Sequence, residues 1–260
     1  MIKRMLGNKA VGGFDADAQA FIDATGISDS TQQNAINDLV VGLKADSLWT
    51  KMVAVYPFVG GTADTHKYNL VNPLDTDGAF RLTYGGTNAI THSSTGALPT
   101  GNSTTNTHIV FNTDLTSNST HFSYYARNLS TGQNSLNFLD LSSNNNYLSL
   151  AYNALGEDII SNIQVTGLNR VSNTDLGLII ASRTTNNVAK IYKGGSSIDT
   201  DTRNTSAQTS DTLYMFGRSS GEPCTHECSF ASVGDGLDDT DASNLDTLIQ
   251  AFQTTLSRQV

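Results

Sequence analysis

Apolar and polar positions alternate most regularly in the last third of the 260-residue chain. Leu176, Leu178 and Ile180 are spaced by two, residues 184–187 supply a polar turn, and the two-residue period resumes over 188–192. This is the pattern of half-buried antiparallel strands. Lys193, Gly194 and Gly195 close that strand, Leu213, Met215 and Gly217 repeat the period, and residues 229–233 form another short apolar run. Upstream, 52–59 reads as the first long strand, and runs at 108–111, 121–125, 135–141, 147–152 and 161–167 recur about every ten residues, as in sandwiches and barrels. Residues 66–84 read as a hairpin about Asp77 and Gly78, whereas 85–103 are rich in turn residues and hold no period.

Three stretches change to helical spacing. Asp15 and Asp17 open a helix over 15–24 that places Ala18, Phe21 and Ile22 on one face, and Gly26 ends it. Asp29, with Gln32 three positions on, caps a second helix over 30–45, whose stripe of Ala35, Ile36, Leu39, Val40 and Leu43 is wide enough to dock on a sheet. Asp239 or Thr240 caps a third, with Ala242, Leu245, Leu248, Ile249, Phe252 and Leu256 on one face. The matching spacing of the last two predicts that they pack side by side. Trp49, the only tryptophan, is expected between the helical part and the sheet. The fold expected is mainly β: an antiparallel sandwich with an N-terminal helical segment and a C-terminal helix.

Composition narrows the function. Charged residues are 15% and hydrophobic residues 38% of the chain, the net charge is −9 and the pI about 4.8. With no basic stripe for phosphates, nucleic acid is not an expected partner. No apolar run is long enough to cross a membrane as a helix, and residues 1–9 are basic without the apolar core of a secretory signal. Asparagine, serine and threonine are unusually abundant, which suits an exposed particle surface more than a cytosolic enzyme.

The candidate chemistry is sparse. Glycoside cleavage needs two carboxylates held across the bond, yet the only glutamates, Glu157, Glu222 and Glu227, all lie beside turns. The five histidines, His66, His92, His108, His121 and His226, accompany no nucleophile elbow. A non-enzymatic protein without a cofactor is therefore expected. Asp75 and Asp77 begin like a calcium loop but lack its later acidic ligand, so a plain turn competes with a bound calcium ion. Cys224 and Cys228 leave three alternatives open: a local disulfide, two free thiols, or a metal held with His226. Tyr124, Tyr125, Tyr147 and Tyr152 are candidates for a sugar platform, with strand packing as the competing role.

Certain stretches carry a family resemblance. Ile191-Tyr192-Lys193-Gly194-Gly195, then Leu213-Tyr214-Met215-Phe216-Gly217, and a last strand leading into Gly236-Leu237-Asp238-Asp239-Thr240 resemble the C-terminal half of concanavalin A-like, laminin-G-type jelly rolls. Residues 48–70, with Tyr56-Pro57-Phe58-Val59-Gly60-Gly61-Thr62 at their centre, and residues 230–237 with 250–256 are similar to bacteriophage virion proteins carrying such a domain. The resemblance covers residues 15–260 and implies an arm at 1–14, a helical segment at 15–52 and a jelly roll at 53–260. It implies a structural subunit located in the virion, a head decoration, fibre or tail-associated protein. Its partners would be other virion proteins, further copies of itself and host surface carbohydrate. A lectin-like module whose main role is ligand binding is the alternative. In the virion setting the arm is expected to dock on the particle, through the charge of Lys3 and Arg4 and the apolar Ile2, Met5 and Leu6, with Gly12 and Gly13 as a joint.

Overall fold

The computed structural model describes residues 13–86, 89–100, 103–128, 135–140, 146–153, 156–163, 169–172, 176–204, 210, 212–218, 222–224 and 226–260. Strands between 135 and 172 enter through their backbone register. The arm residues Ile2, Lys3, Arg4, Met5 and Leu6 lie outside the described residues.

In chain order the elements are α1 (Ala16–Thr25), α2 (Ser30–Ala45), β1 (Met52–Tyr56), α3 (Ala63–His66), β2 (Thr83–Gly86), β3 (Ile90–Ser93), β4 (Gly96–Pro99), β5 (Ser103–Val110), α4 (Phe111–Asp114) and β6 (Thr120–Ala126). They continue with β7 (Ser135–Asp140), β8 (Asn146–Asn153), β9 (Gly156–Ile163), β10 (Asn169–Ser172), β11 (Gly177–Thr185), β12 (Val188–Lys193), β13 (Ser196–Asp201), β14 (Thr212–Met215), β15 (Gly217–Arg218), β16 (Glu222–Pro223), β17 (Cys228–Gly234) and α5 (Asp239–Thr255). Two antiparallel sheets face each other as a β-sandwich of the jelly-roll class. Sheet A runs β13-β12-β11-β6-β17-β4-β3, with β1 also paired to β17, and sheet B runs β10-β9-β8-β7-β14-β5-β2.

The central strands of sheet A, β6, β11 and β17, are buried on both faces. Toward sheet B, Phe122, Tyr124, Ile179, Ala181, Ile191, Ala231 and Val233 meet Ile109, Leu213 and Met215. On its other side, Tyr125, Leu178, Ile180, Tyr192 and Phe230 pack beneath α1, α2 and α5. This explains why every position of β6 and β17 is buried. The predicted stripe of α2 is there, with Ile36, Leu39, Val40 and Leu43 at most 2% exposed. α2 lies against α5, as the shared spacing predicted. Gly42 permits the close approach: a Cβ there would meet Leu248 Cδ2 at 2.4 Å.

The caps follow the sequence closely. Asp29 accepts from Gln32 N at 2.8 Å, and Asp15 pairs with Lys44 across α1 and α2 at 2.6 Å. For α5 the cap is Asp238 and not the expected Asp239 or Thr240; it forms a reciprocal capping box with Asp241. The acidic run before α5 is thereby explained, since Asp239 takes Lys190 and Asp241 takes Lys51.

Two local expectations are corrected. Residues 66–84 form no hairpin; the buried Asn69 stitches an irregular loop, accepting from Val55 N at 2.9 Å and donating to the carbonyls of Val53 and Ala79 at 3.2 and 3.1 Å. Asp77–Ala79 is a 3₁₀ turn. The stretch read as aperiodic instead holds the β3–β4 hairpin, on which Ala97 pairs with Cys228.

A polar seam fixes β6 and β17 under α5. His121 Nδ1 donates to Asp235 O at 2.6 Å, so its Nε2 is bare and accepts from Ser232, 2.9 Å away; Ser123 in turn donates to Ser232 at 2.6 Å. Farther along, the fully buried Arg258 donates to the carbonyls of Phe58, Pro57 and Ser229 and to Gln253 Oε1. Burial pushes its guanidinium down to about 9.

Replacing Leu39 with alanine removes packing between α2 and its neighbours, at a cost of about 2–5 kcal/mol. The melting temperature should fall by about 5–15 °C; an unchanged melt would show that the helix does not stabilise the sandwich.

Burial pushes His121 down to about 4 and His66 to about 3. Below pH about 6.5 the unfolded chain then binds protons that the folded one refuses, so stability is full above that pH and falls as pH drops toward 4. Urea unfolding between pH 7 and 5, where most carboxylates stay ionised, should show this slope. His121→Gln should reduce it by about one proton, or about 1.4 kcal/mol per pH unit.

Candidate functional site

The sequence candidates divide sharply by burial. Tyr124 and Tyr125 are both fully buried, which removes them as a sugar platform. They lie on opposite faces of β6, Tyr124 in the sandwich core with its hydroxyl on His226 O at 2.9 Å, and Tyr125 under the helices. Cys224 and Cys228 are free thiols, fully buried; no disulfide joins them, and burial pushes the Cys224 thiol up to about 12. Such thiols are poor nucleophiles and poor metal ligands. Among the described residues no three histidine, cysteine or acidic side chains converge to hold a metal ion. Both oxygens of Asp75 are taken, by Lys67 at 2.9 Å and Arg81 at 2.8 Å, and Asp77 accepts from Arg81 Nε at 3.0 Å. These cations hold the Asp75 carboxyl below the usual carboxylate range.

Other polar clusters are occupied by the fold. Ser232 and His121 have the hydrogen bond of a nucleophile and its base, but both are fully buried. A cleft of about 350 Å³ is lined by Asp29, Gln32, Thr95 and Arg258. There Asp29 caps α2, Gln32 accepts from Gly60 N, Thr95 donates to Glu227, and Arg258 spends its donors on carbonyls. Glu227 also pairs with Arg127 at 3.0 Å.

The outward face of sheet B differs. Along β14, Leu213 and Met215 enter the core while Thr212 and Tyr214 are half-buried; along β5, Thr105, Thr107 and Ile109 are buried while Asn106, His108 and Val110 are half-buried. Alternation of this kind marks a sheet with one solvated face. Tyr214 is the register partner of Asn106 on one side and of Leu139 on the other. Thr83 pairs with Asn106, Leu139 with Tyr147, and Tyr147 with Asn162. Register partners share a face, so Thr83, Asn106, Tyr214, Leu139, Tyr147 and Asn162 occupy one row across six strands. Of Tyr147 and Tyr152 only the register is described: Tyr147 is the partner of Leu139 and Asn162, and Tyr152 of Glu157.

One end of the row is irregular. The two steps of β14 from Thr212 to Tyr214 are matched by four steps of β5, from Val110 to Asn106. Inside this bulge His108 has φ +59°, at a cost of about 1–2 kcal/mol for a side chain with a Cβ. The conformation is held by Asn106 Oδ1, which accepts from His108 N at 2.7 Å, and by His108 Nε2, 2.9 Å from Thr83 Oγ1. Bulges re-aim side chains, and maintained strain concentrates where a surface is used. Asn106 is left with its NH₂ and Tyr214 with its hydroxyl to offer outward. Sequence reasoning passed over both: Leu213 and Met215 were read as the strand signal, and the residue between them was the one on the open face.

No protein-family model matches the sequence, and no curated protein matches it. Solved structures do resemble the fold. Domain 4 of AbnA, a GH43 extracellular arabinanase from Geobacillus stearothermophilus, in complex with arabinotriose, aligns at TM-score 0.52 and 14% identity over 75% of this chain and 98% of that one. A mutant Trypanosoma rangeli sialidase displaying trans-sialidase activity aligns at 0.51 and 9% identity, over 86% of this chain and 39% of the other. The binding domain of botulinum neurotoxin DC, in complex with rat synaptotagmin II, aligns at 0.50 and 13% identity, over 77% and 52%. The chain spans about half or less of the last two. At these identities the likeness is one of fold: this chain is similar to jelly-roll β-sandwich domains.

Proposed function

We propose that this protein is a non-enzymatic surface subunit of a bacteriophage particle that contacts host glycans through the open face of sheet B. The observation that carries the binding role is the row through Asn106 and Tyr214. It offers an aromatic ring, an amide and a hydroxyl together on a solvated sheet, the combination of apolar surface and few directed polar groups that sugars require. The structure of domain 4 of AbnA with arabinotriose supports the reading, because a similar sandwich there holds a sugar chain. The particle setting rests on the resemblance of residues 48–70 and 230–237 to virion proteins. Other virion proteins and further copies of the chain are the partners of that setting, and residues 1–14 are its attachment arm. The use of five described carboxylates supports the non-enzymatic reading: Glu227, Asp75, Asp77, Asp239 and Asp241 all pair with cations.

The test is binding of the purified protein to an array of bacterial surface and plant glycans. Tyr214→Ala should weaken the best ligand about tenfold or more with an unchanged melt, and Tyr214→Trp should retain it. The same glycans should release no reducing ends. Equal binding by Tyr214→Ala would remove the face from the proposal, and release that disappears on changing one carboxylate would make the protein an enzyme.

A further inference from the structure

The cleft of about 350 Å³ between the start of α2 and the end of α5 gives the fold one group from several of its polar side chains and keeps others back. Asp29 caps α2 through Oδ1, which leaves Oδ2 at the surface. Gln32 accepts from Gly60 N through Oε1, and among the described residues nothing engages its NH₂. Thr31, Ser94 and Ser257 line the same space, so hydroxyls surround it as well.

The two charges in the cleft are of opposite sign and lie at different depths: Arg258 is 1% exposed, whereas Asp29 is exposed. Among the described residues they do not pair with each other. The guanidinium meets only uncharged oxygens, the carbonyls of Pro57, Phe58 and Ser229 and Oε1 of Gln253. Nη2 spends both of its hydrogens there, while Nη1 makes one bond and keeps a hydrogen. Glu227 cannot serve as the countercharge, because Arg127 and Thr95 hold its two oxygens. A buried cation without a countercharge is costly, and burial and the neighbouring Arg127 both act against this one. An anion entering the cleft supplies what is missing. The volume is at the small end of ligand sites, which run from about 300 to 1,000 Å³.

We propose that this cleft holds a small zwitterion, an amino acid in chemical class, with its carboxylate inward on Arg258 and its ammonium outward on Asp29. Gln32 and the hydroxyls of Ser94 and Ser257 take up its remaining polar groups. The site is separate from the open face of sheet B and does not rest on the glycan-contact role.

Calorimetry on the full chain with glycine, alanine, serine and glutamine tests this, with acetate and ethylamine as single-charge counterparts. At least one amino acid should bind about tenfold or more tighter than acetate, as an added charge-assisted hydrogen bond implies. Asp29→Asn keeps the cap, since asparagine caps as well as aspartate, and should lower amino-acid affinity to that of acetate with the melt little changed. Thr31→Trp, at an exposed position of α2, should block the cleft and abolish binding. Acetate bound as tightly as every amino acid would overturn the zwitterion, and so would amino-acid binding that both variants leave unchanged. No heat from any probe at millimolar concentration would overturn the site itself, without bearing on the face that carries Tyr214.

Discussion

The two-sided burial of sheet A is the constraint on which the rest of this molecule depends. An antiparallel sheet can leave one face in water, but β6, β11 and β17 carry apolar side chains on both. The helices are the consequence: α2 and α5 lie on the outer face of sheet A because Tyr125, Ile180 and Phe230 must be covered. With sheet A closed from both sides, sheet B is left with the sandwich's solvated face. Its alternating strands β5 and β14 are built for that position, and the row through Tyr214 is what they present.

Inside this apolar frame a few polar groups form closed chains of hydrogen bonds. The seam from Ser123 through Ser232 and His121 to Asp235 has a single consistent direction of donation, which fixes the neutral tautomer of the ring. Gly236 and Leu237 then bring the chain close over β11, where Ser182 accepts from Leu237 N and donates to its carbonyl. A Cβ on Gly236 would come within 2.0 Å of Arg183 O, so only glycine allows that contact. Asn69 and Arg258 act alike: each saturates backbone groups that no strand partner reaches, and each permits an irregular loop at the sandwich edge.

Much of this was legible in the residues. Helix α2 follows from Asp29 and the spacing of Ile36, Leu39, Val40 and Leu43, and the pairing with α5 from the repeat of that spacing. Legibility failed where tertiary contacts override local pattern. The run Tyr124-Tyr125 contains no sign that both faces of β6 are covered, because that depends on helices about eighty or more residues away. Residues 66–84 look like a hairpin until the side chain of Asn69 is seen to replace the ladder. Hairpin β3–β4 is hidden in a serine-, threonine- and glycine-rich stretch, since its partner β17 supplies the apolar surface. For the open face, alternation around Leu213 and Met215 was visible, but which face met water required knowing which sheet the helices cover.

The place of β17 in sheet A has a consequence for how the chain comes into being. Strands β1, β4 and β6 all pair with β17, and the guanidinium of Arg258 reaches back 200 positions to Phe58. Contacts of such long sequence separation make folding slow, because loops must close before any pairing rewards them. During synthesis β1, β4 and β6 emerge long before the strand that joins them, with their edges and apolar faces uncovered. The nascent chain is therefore most exposed to aggregation just before residues 228–258 leave the ribosome, when the apolar β1 still lacks its partner.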